Sequence, residues 1–286
     1  MAYQYLTDKN LEQFIVSALA EDIGEGDFST LSSVPKEAIS TAKLLIKDNG
    51  ILAGVDLAQK IFKHLEPDCS FEIFKKDGEK VQKGEEAFRV KAHAQILLQG
   101  ERLVLNCMQR MSAIATKTNH FTQMIAHTKA RLLDTRKTTP NFRMIEKWAV
   151  LIGGGTNHRF GLFDMVMLKD NHIDYAGGIT KAVQNTQKYL QNINKKLRIE
   201  VETRNIDEVK EALSVGGVDV IMLDNMSVAT MKEAVKLIGN QAQTEASGGI
   251  TEDTIIGIAE TGVDFISVGA LTHAVKSLDL SLKAVV

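Results

Sequence analysis

Cysteine is scarce in this 286-residue chain: there are two, Cys69 and Cys107, without the spacing of metal ligands. They read as buried thiols in a reducing compartment, and a disulfide scaffold is excluded. Proline numbers three and hydrophobic residues make up 44%, which excludes collagen-like and disordered chains. Neither charge sign dominates, since 34 Lys+Arg against 36 Asp+Glu leaves a net charge of -2. No general attraction to nucleic acid or to an anionic membrane is therefore expected. No apolar run approaches the ~18 residues of a membrane span. The start, Met1-Ala2-Tyr3-Gln4-Tyr5, lacks the basic and apolar regions of a signal peptide. The expectation is a soluble, cytoplasmic protein of one large domain or two ordinary ones, at roughly 100–200 residues each.

What is present falls into two styles. Leu11, Phe14, Ile15, Ala18 and Leu19 recur at helical spacing after Thr7 or Asp8 as cap. Residues 42–53 read as two short strands around Asn49-Gly50, a hairpin dipeptide. A helix over Asp56–Leu65, a strand at 71–74, a turn at Asp77-Gly78 and a strand over 87–94 complete an α+β region. Residues 96–126 hold no Pro and one Gly, and predict one long helix or two consecutive ones. A regular alternation follows. Strands are expected at 130–134, 165–168, 197–201, 218–223, 243–246 and 263–268, with helices at 140–151, 178–191, 206–215, 227–238 and 251–260. Strands alternating with helices imply a parallel sheet. Polar or small residues close these strands: Arg136 and Lys137, Lys169, Glu202, Asp224, Ser247 and Gly269. A barrel gathers such ends at one mouth, where barrel active sites lie; an open sheet concentrates function at one switch point. The pattern favours an incomplete α/β barrel of about six strands behind an α+β domain.

Thr135-Arg136-Lys137-Thr138-Thr139-Pro140 sets two cations and three hydroxyls between a strand and a helix. It is either a solvated loop or an anion site. Gly153-Gly154-Gly155 precedes Asn157-His158-Arg159 and reads as a binding loop in that company. Lys169 would share the mouth with Arg136, Lys137 and Arg159. Cations so packed repel by about 4 kcal/mol per close pair at an effective dielectric near 20, so a polyanion should fill the site. Glu202 and Asp224 suit sugar hydroxyls with Mg²⁺ nearby, or serve as acid and base or as counter-ions; no spacing supports zinc. Ser247-Gly248-Gly249 and Ser267-Val268-Gly269 follow the last two strands, where barrels commonly grip phosphate. The implied ligand is a phosphorylated ribose beside a second anion. Asp77-Gly78-Glu79-Lys80-Val81-Gln82-Lys83-Gly84 looks like the turn of a lipoyl-type carrier. Lys47-Asp48-Asn49-Gly50 is not a lipoylation setting, so hairpin chemistry is the better reading.

Taken together, DTRKTTP, GGGTNHRFGLFDMVMLKDNH, EVET, MLDN, EASGGI and ISVGALTH resemble the quinolinate phosphoribosyltransferase family of type II phosphoribosyltransferases, essentially end to end. Asn141 stands where the resemblance leads one to expect Gly. The resemblance implies an N-terminal α+β sandwich-like domain (1–115, joined by the tail 275–286) and a barrel domain (116–274). It implies transfer of phosphoribose from phosphoribosyl pyrophosphate (PRPP) to quinolinate with loss of CO₂, needing Mg²⁺ and no organic cofactor. By similarity, Thr135, Arg136, Lys137, His158, Arg159 and Lys169 meet the anions. Glu202 and Asp224 hold ribose and Mg²⁺, directly or through water. Ser247, Gly248, Gly249, Ser267 and Gly269 hold the 5′-phosphate. Lys137, Lys169, Glu202 and Asp224 are the expected catalytic group. Arg102, unremarkable in its own helix, would reach into the partner's barrel of a homodimer, alone or within a higher oligomer. Neither nucleic acid nor membrane is an expected partner. A nicotinate-using or molybdenum-transport-associated paralogue is the alternative.

Overall fold

A computed structural model describes residues 5–285. In chain order the elements are α1 (Asp8–Ile23), α2 (Phe28–Ser33), β1 (Ile39–Ile46), β2 (Gly50–Ile51), α3 (Val55–Leu65), β3 (Ser70–Ile73), β4 (Lys80–Val81), β5 (Glu86–His93) and α4 (Ala94–Met124). There follow β6 (Arg131–Leu133), α5 (Arg143–Ile152), β7 (Val166–Leu168), α6 (Asp170–Ala176), α7 (Ile179–Asn192), β8 (Ile199–Thr203), α8 (Ile206–Val215) and β9 (Val220–Asp224). The chain ends with α9 (Val228–Ile238), β10 (Gln243–Ser247), α10 (Glu252–Ala259), β11 (Phe265–Ser267), α11 (Ala270–His273) and β12 (Leu280–Ala284). These form two compact units. Among the described residues, one comprises 5–119, Thr138–Gly154 and 271–285; the other comprises His120–Lys137 and Gly155–Ala270.

The first unit is built on an antiparallel sheet in the order β12-β1-β5-β3. Apolar residues alternate along β1, so Ala42, Leu44 and Ile46 share one buried face. Leu44 stands between Phe88 of β5 and Leu282 of β12 in register. The Phe62 ring of α3 packs 6.0 Å from Phe71, which lies 5.3 Å from Phe88. Thr7 caps α1 by accepting the Asn10 N–H at 3.2 Å. The region 96–126 is the single helix α4.

The hairpin expected across 42–53 does not form. β1 pairs with β5 and β12, while Gly50 pairs with Val81 of β4. Asn49 is occupied elsewhere: its side-chain oxygen accepts the Lys83 N–H at 2.9 Å. A side chain on Gly50 would collide with Leu278 and Thr116, so this glycine answers to packing. The expected helix at 140 begins instead at Arg143, because Asn141 adopts φ +60° and breaks the helical run.

The second unit carries six parallel strands in the order β6-β11-β10-β9-β8-β7. A parallel bridge between Leu133 and Thr156 extends the β6 edge. This is the incomplete α/β barrel that the alternation implied. β8 is buried along its whole length, as a strand covered on both faces must be. At the amino ends, Asp219 accepts the Ile199 N–H at 2.7 Å, and Asp264 accepts the Thr244 N–H and hydroxyl at 2.8 Å. Those carboxylates tie neighbouring segments together at the end away from the polar strand closers. Both cysteines are buried and unpaired. Among the described residues no helix is long and apolar enough to cross a membrane.

Candidate active site

Apart from Arg102, the expected catalytic and ligand-binding residues lie in the second unit. Thr135–Lys137, Lys169, Glu202, Asp224, Ser247–Gly249, Ser267 and Gly269 stand at or just beyond carboxyl ends of its strands, and His158 and Arg159 are in the loop leading into β7. Thr138–Pro140, with Gly153 and Gly154, fall in the first unit. Parallel pairing puts the carboxyl ends on one edge of the sheet. Asp224 is in register with Ser247, and Glu202 with Met222, two residues before Asp224. Lys169 follows β7 directly, and its Nζ stands 4.0 Å from Glu202 Oε2. Burial raises the Glu202 pKa, and the like charge of Asp224 raises it further; Lys169 opposes them. Two carboxylates and an ammonium thus share a small volume where water is largely excluded from Glu202. Oxygen donors of this kind suit a hard divalent cation.

The glycine turn after β10 is conformationally committed. Gly248 has φ +93° and Gly249 φ +58°, both in the region that favours glycine. A methyl group on Gly248 would collide with the Asn225 side chain. Only glycine lets the backbone pass that close, and turns of this kind can present backbone N–H groups to an anion. Ser267 is buried with its hydroxyl 3.5 Å from the Ala246 carbonyl oxygen, and Gly269 lies two residues beyond.

On the other flank, Thr135 Oγ1 accepts the Lys137 N–H at 3.0 Å, a tight local turn that leaves the Lys137 side chain exposed. Arg159 has its pKa lowered by burial and by the nearby Arg136, with Glu200 and Asp164 opposing. Arg136 and Arg159 therefore lie near enough to repel one another. Thr139 belongs to the first unit, where its N–H and hydroxyl both bind the fully buried Glu146 at 3.1 and 2.9 Å. Arg110 closes on the same carboxylate at 2.8 Å. Arg102 is exposed on α4, beside a cavity of 560 Å³ within the first unit. Gly153 ends α5 where a Cβ would strike the backbone of α4 at Ala115, so the glycine run is partly a packing requirement. Lys169 precedes α6, and its N–H is accepted by His172 Nδ1 at 3.1 Å, which gives His172 a local structural task.

His158 is placed differently from its neighbours. Its side chain is 7% exposed, and Nε2 lies 3.0 Å from Glu200 Oε2 and 3.4 Å from Glu245 Oε2. Glu200 and Glu245 are buried, and with His158 they form a group with the spacing of metal ligands. Burial and the charge of Glu245 raise the Glu200 pKa. Asp134, also buried, accepts the His158 N–H at 2.9 Å and the Asn157 amide at 2.6 Å. Asp134, Glu200, Glu245 and Asn225 were not among the residues picked from sequence. Glu200 and Glu245 each stand two residues before a chosen position and so on the same face, but β10 reads Gln-Thr-Glu-Ala-Ser and gives Glu245 no apolar background to stand out against.

Comparison with known proteins bears on the family of the chain. Residues 27–112 match the family described as quinolinate phosphoribosyl transferase, N-terminal domain, and residues 114–283 match its C-terminal domain. A nicotinate-nucleotide pyrophosphorylase (carboxylating), chloroplastic, from Arabidopsis thaliana is 47% identical over 96% of this chain and 82% of its own length. A quinolinate phosphoribosyltransferase (decarboxylating) 2b, mitochondrial, from Nicotiana tabacum is 46% identical over the same shares. The solved nicotinate-nucleotide pyrophosphorylase of Francisella tularensis superposes with a TM-score of 0.87 at 37% identity, covering 98% of each chain. The plant names specify organelles, so these relatives lend no support to a cytoplasmic location.

Proposed function

The chain belongs to the quinolinate phosphoribosyltransferase family, and we propose that it joins quinolinate to PRPP with loss of CO₂, making nicotinate mononucleotide and pyrophosphate for NAD synthesis. The observation that carries this reading is the convergence of Lys169, Glu202, Asp224 and the Ser247–Gly249 turn on one edge of the parallel sheet. Family relatives with this activity match nearly the whole chain, which favours it over a nicotinate-using or transport-associated paralogue.

In this reading the Ser247–Gly249 turn, with Ser267 and Gly269, grips the 5′-phosphate. Glu202 and Asp224 accept the ribose hydroxyls and face the positive charge that grows at the anomeric carbon. Thr135, Arg136, Arg159, Lys169 and the His158 segment receive the two quinolinate carboxylates, with Arg102 supplied by a second copy. Lys137 and Lys169 meet the pyrophosphate. The ring nitrogen lone pair forms the bond to the anomeric carbon as the bond to pyrophosphate oxygen breaks, and pyrophosphate leaves with that electron pair. The quaternised ring then accepts the electrons of the breaking carbon–carboxylate bond, and a proton replaces CO₂. Positioning and charge stabilisation suffice, without a covalent enzyme intermediate. Glu202 and Asp224 are the residues that would hold Mg²⁺, directly or through water. When bound, the ion neutralises charge on the leaving pyrophosphate.

Lys137→Ala and Lys169→Ala test the assignment. Each should reduce turnover at least about 10²-fold, the scale for loss of a preorganised charge. Thermal midpoints should stay within a few degrees of the parent, because both side chains are exposed. Full activity in either variant would remove that residue from the reaction, and a collapse in stability would show that it serves the fold.

A further inference from the structure

Below the cations at the strand ends lies a layer of buried carboxylates that the proposed reaction does not use. Glu200 lies one side-chain layer beneath Glu202 on β8, and Glu245 one layer beneath Ser247 on β10. Both flank His158 Nε2, at 3.0 and 3.4 Å. The other ring nitrogen, Nδ1, accepts the backbone N–H of Arg159 at 2.7 Å. Burial works against charge on the ring, and Glu200 and Glu245 on the Nε2 side favour keeping its proton there. The short contact at Nδ1 is available only to a nitrogen without a proton, so it keeps the ring proton on Nε2, facing the glutamates. Asp134 fixes the same segment from its other side, through the His158 N–H and the Asn157 amide. Arg159 Nη1 is held in turn by the Met165 carbonyl at 3.2 Å.

We propose that Glu200 and Glu245 are positioning residues for quinolinate: acting through the His158 ring, they set the backbone of residues 156–159 and so aim Arg159. This rests on the reading of Arg159 as a quinolinate ligand. It also explains how a crowded cation site persists before substrate arrives, since Glu200 favours the charged form of Arg159 while Arg136 opposes it. A merely structural ion cluster would stabilise the fold without distinguishing the two substrates.

The test is steady-state kinetics of Glu200→Gln and Glu245→Gln. The KM for quinolinate should rise at least tenfold, while the KM for PRPP changes less than twofold. In a His158→Ala background, adding Glu245→Gln should raise the quinolinate KM no further. An unchanged quinolinate KM, an equal rise in both KM values, or additive effects would overturn the proposal. Should the glutamine variants fail to fold, ¹⁵N spectroscopy of histidine-labelled parent protein decides: Nε2 protonated with Nδ1 bare supports it, and a proton on Nδ1 overturns it. If the parent releases no CO₂ from quinolinate, the functional reading fails, and the ring spectrum still judges the geometry.

Discussion

Asn141 holds a left-handed backbone, φ +60°, in the loop between the cationic run and α5. Glycine is the residue that tolerates this best and asparagine comes next, so its departure from the expected glycine is a conservative one in conformational terms. Asn141→Gly should leave stability within about 0.5 kcal/mol, whereas Asn141→Ala should lower it by about 1 kcal/mol in urea unfolding. Equal stability of all three would show that the loop does not need this conformation. The same scale explains which site residues could be read in advance. Lys169, Glu202, Asp224 and Ser247 stand at strand ends, where a change from apolar to polar is visible along the chain. Glu200 and Glu245 sit inside strands, and only the partner they share, His158 from a distant loop, gives them meaning. Nothing in the local sequence announces a contact made through tertiary structure.

At the scale of elements, α3 shows how a cap can come from far along the chain. Its N-terminal N–H groups at Val55 and Asp56 are accepted by Asp77, at 2.8 and 3.3 Å, and Asp77 belongs to the turn once comparable to a carrier motif. Burial raises the Asp77 pKa from 3.8 to about 6, outweighing those N–H donors. The folded chain therefore holds this proton more tightly than the unfolded chain. Its contribution to stability is greatest below about pH 4, falls as pH rises toward about 6, and is flat above, with an upper bound of about 3 kcal/mol. Asp77→Asn should thus gain on the parent between pH 4 and pH 7 in chemical unfolding. A difference independent of pH would contradict this. Regular elements were legible because the parallel strands and their helices carry their own periodicity: β9 and β10 fall almost where expected. The Asn49-Gly50 hairpin was misread because the dipeptide's local preference was overridden by β5 and β12, strands distant in sequence that claim both edges of β1.

For the whole molecule, a net charge of -2 conceals an uneven distribution. Arg136 and Lys169 follow the carboxyl ends of β6 and β7, with Asp134, Glu200 and Glu245 buried among the strands and their connections. Arg102 is exposed in the other unit, on a surface that a second copy could use. If sites are shared in a dimer, inactive Arg102→Ala and Lys137→Ala proteins should restore activity when mixed and allowed to exchange subunits. The ceiling is roughly a quarter of the parent's, because half the dimers are mixed and each holds one intact site. No recovery after verified exchange would place Arg102 in its own subunit's site or outside the reaction.

The central claim is the reaction itself. Purified protein supplied with PRPP, Mg²⁺ and quinolinate labelled in the carboxylate beside the ring nitrogen measures it directly. The account predicts one labelled CO₂ released for each nicotinate mononucleotide formed, and none when PRPP is omitted. Nucleotide formation from nicotinate with no CO₂ from quinolinate would contradict it.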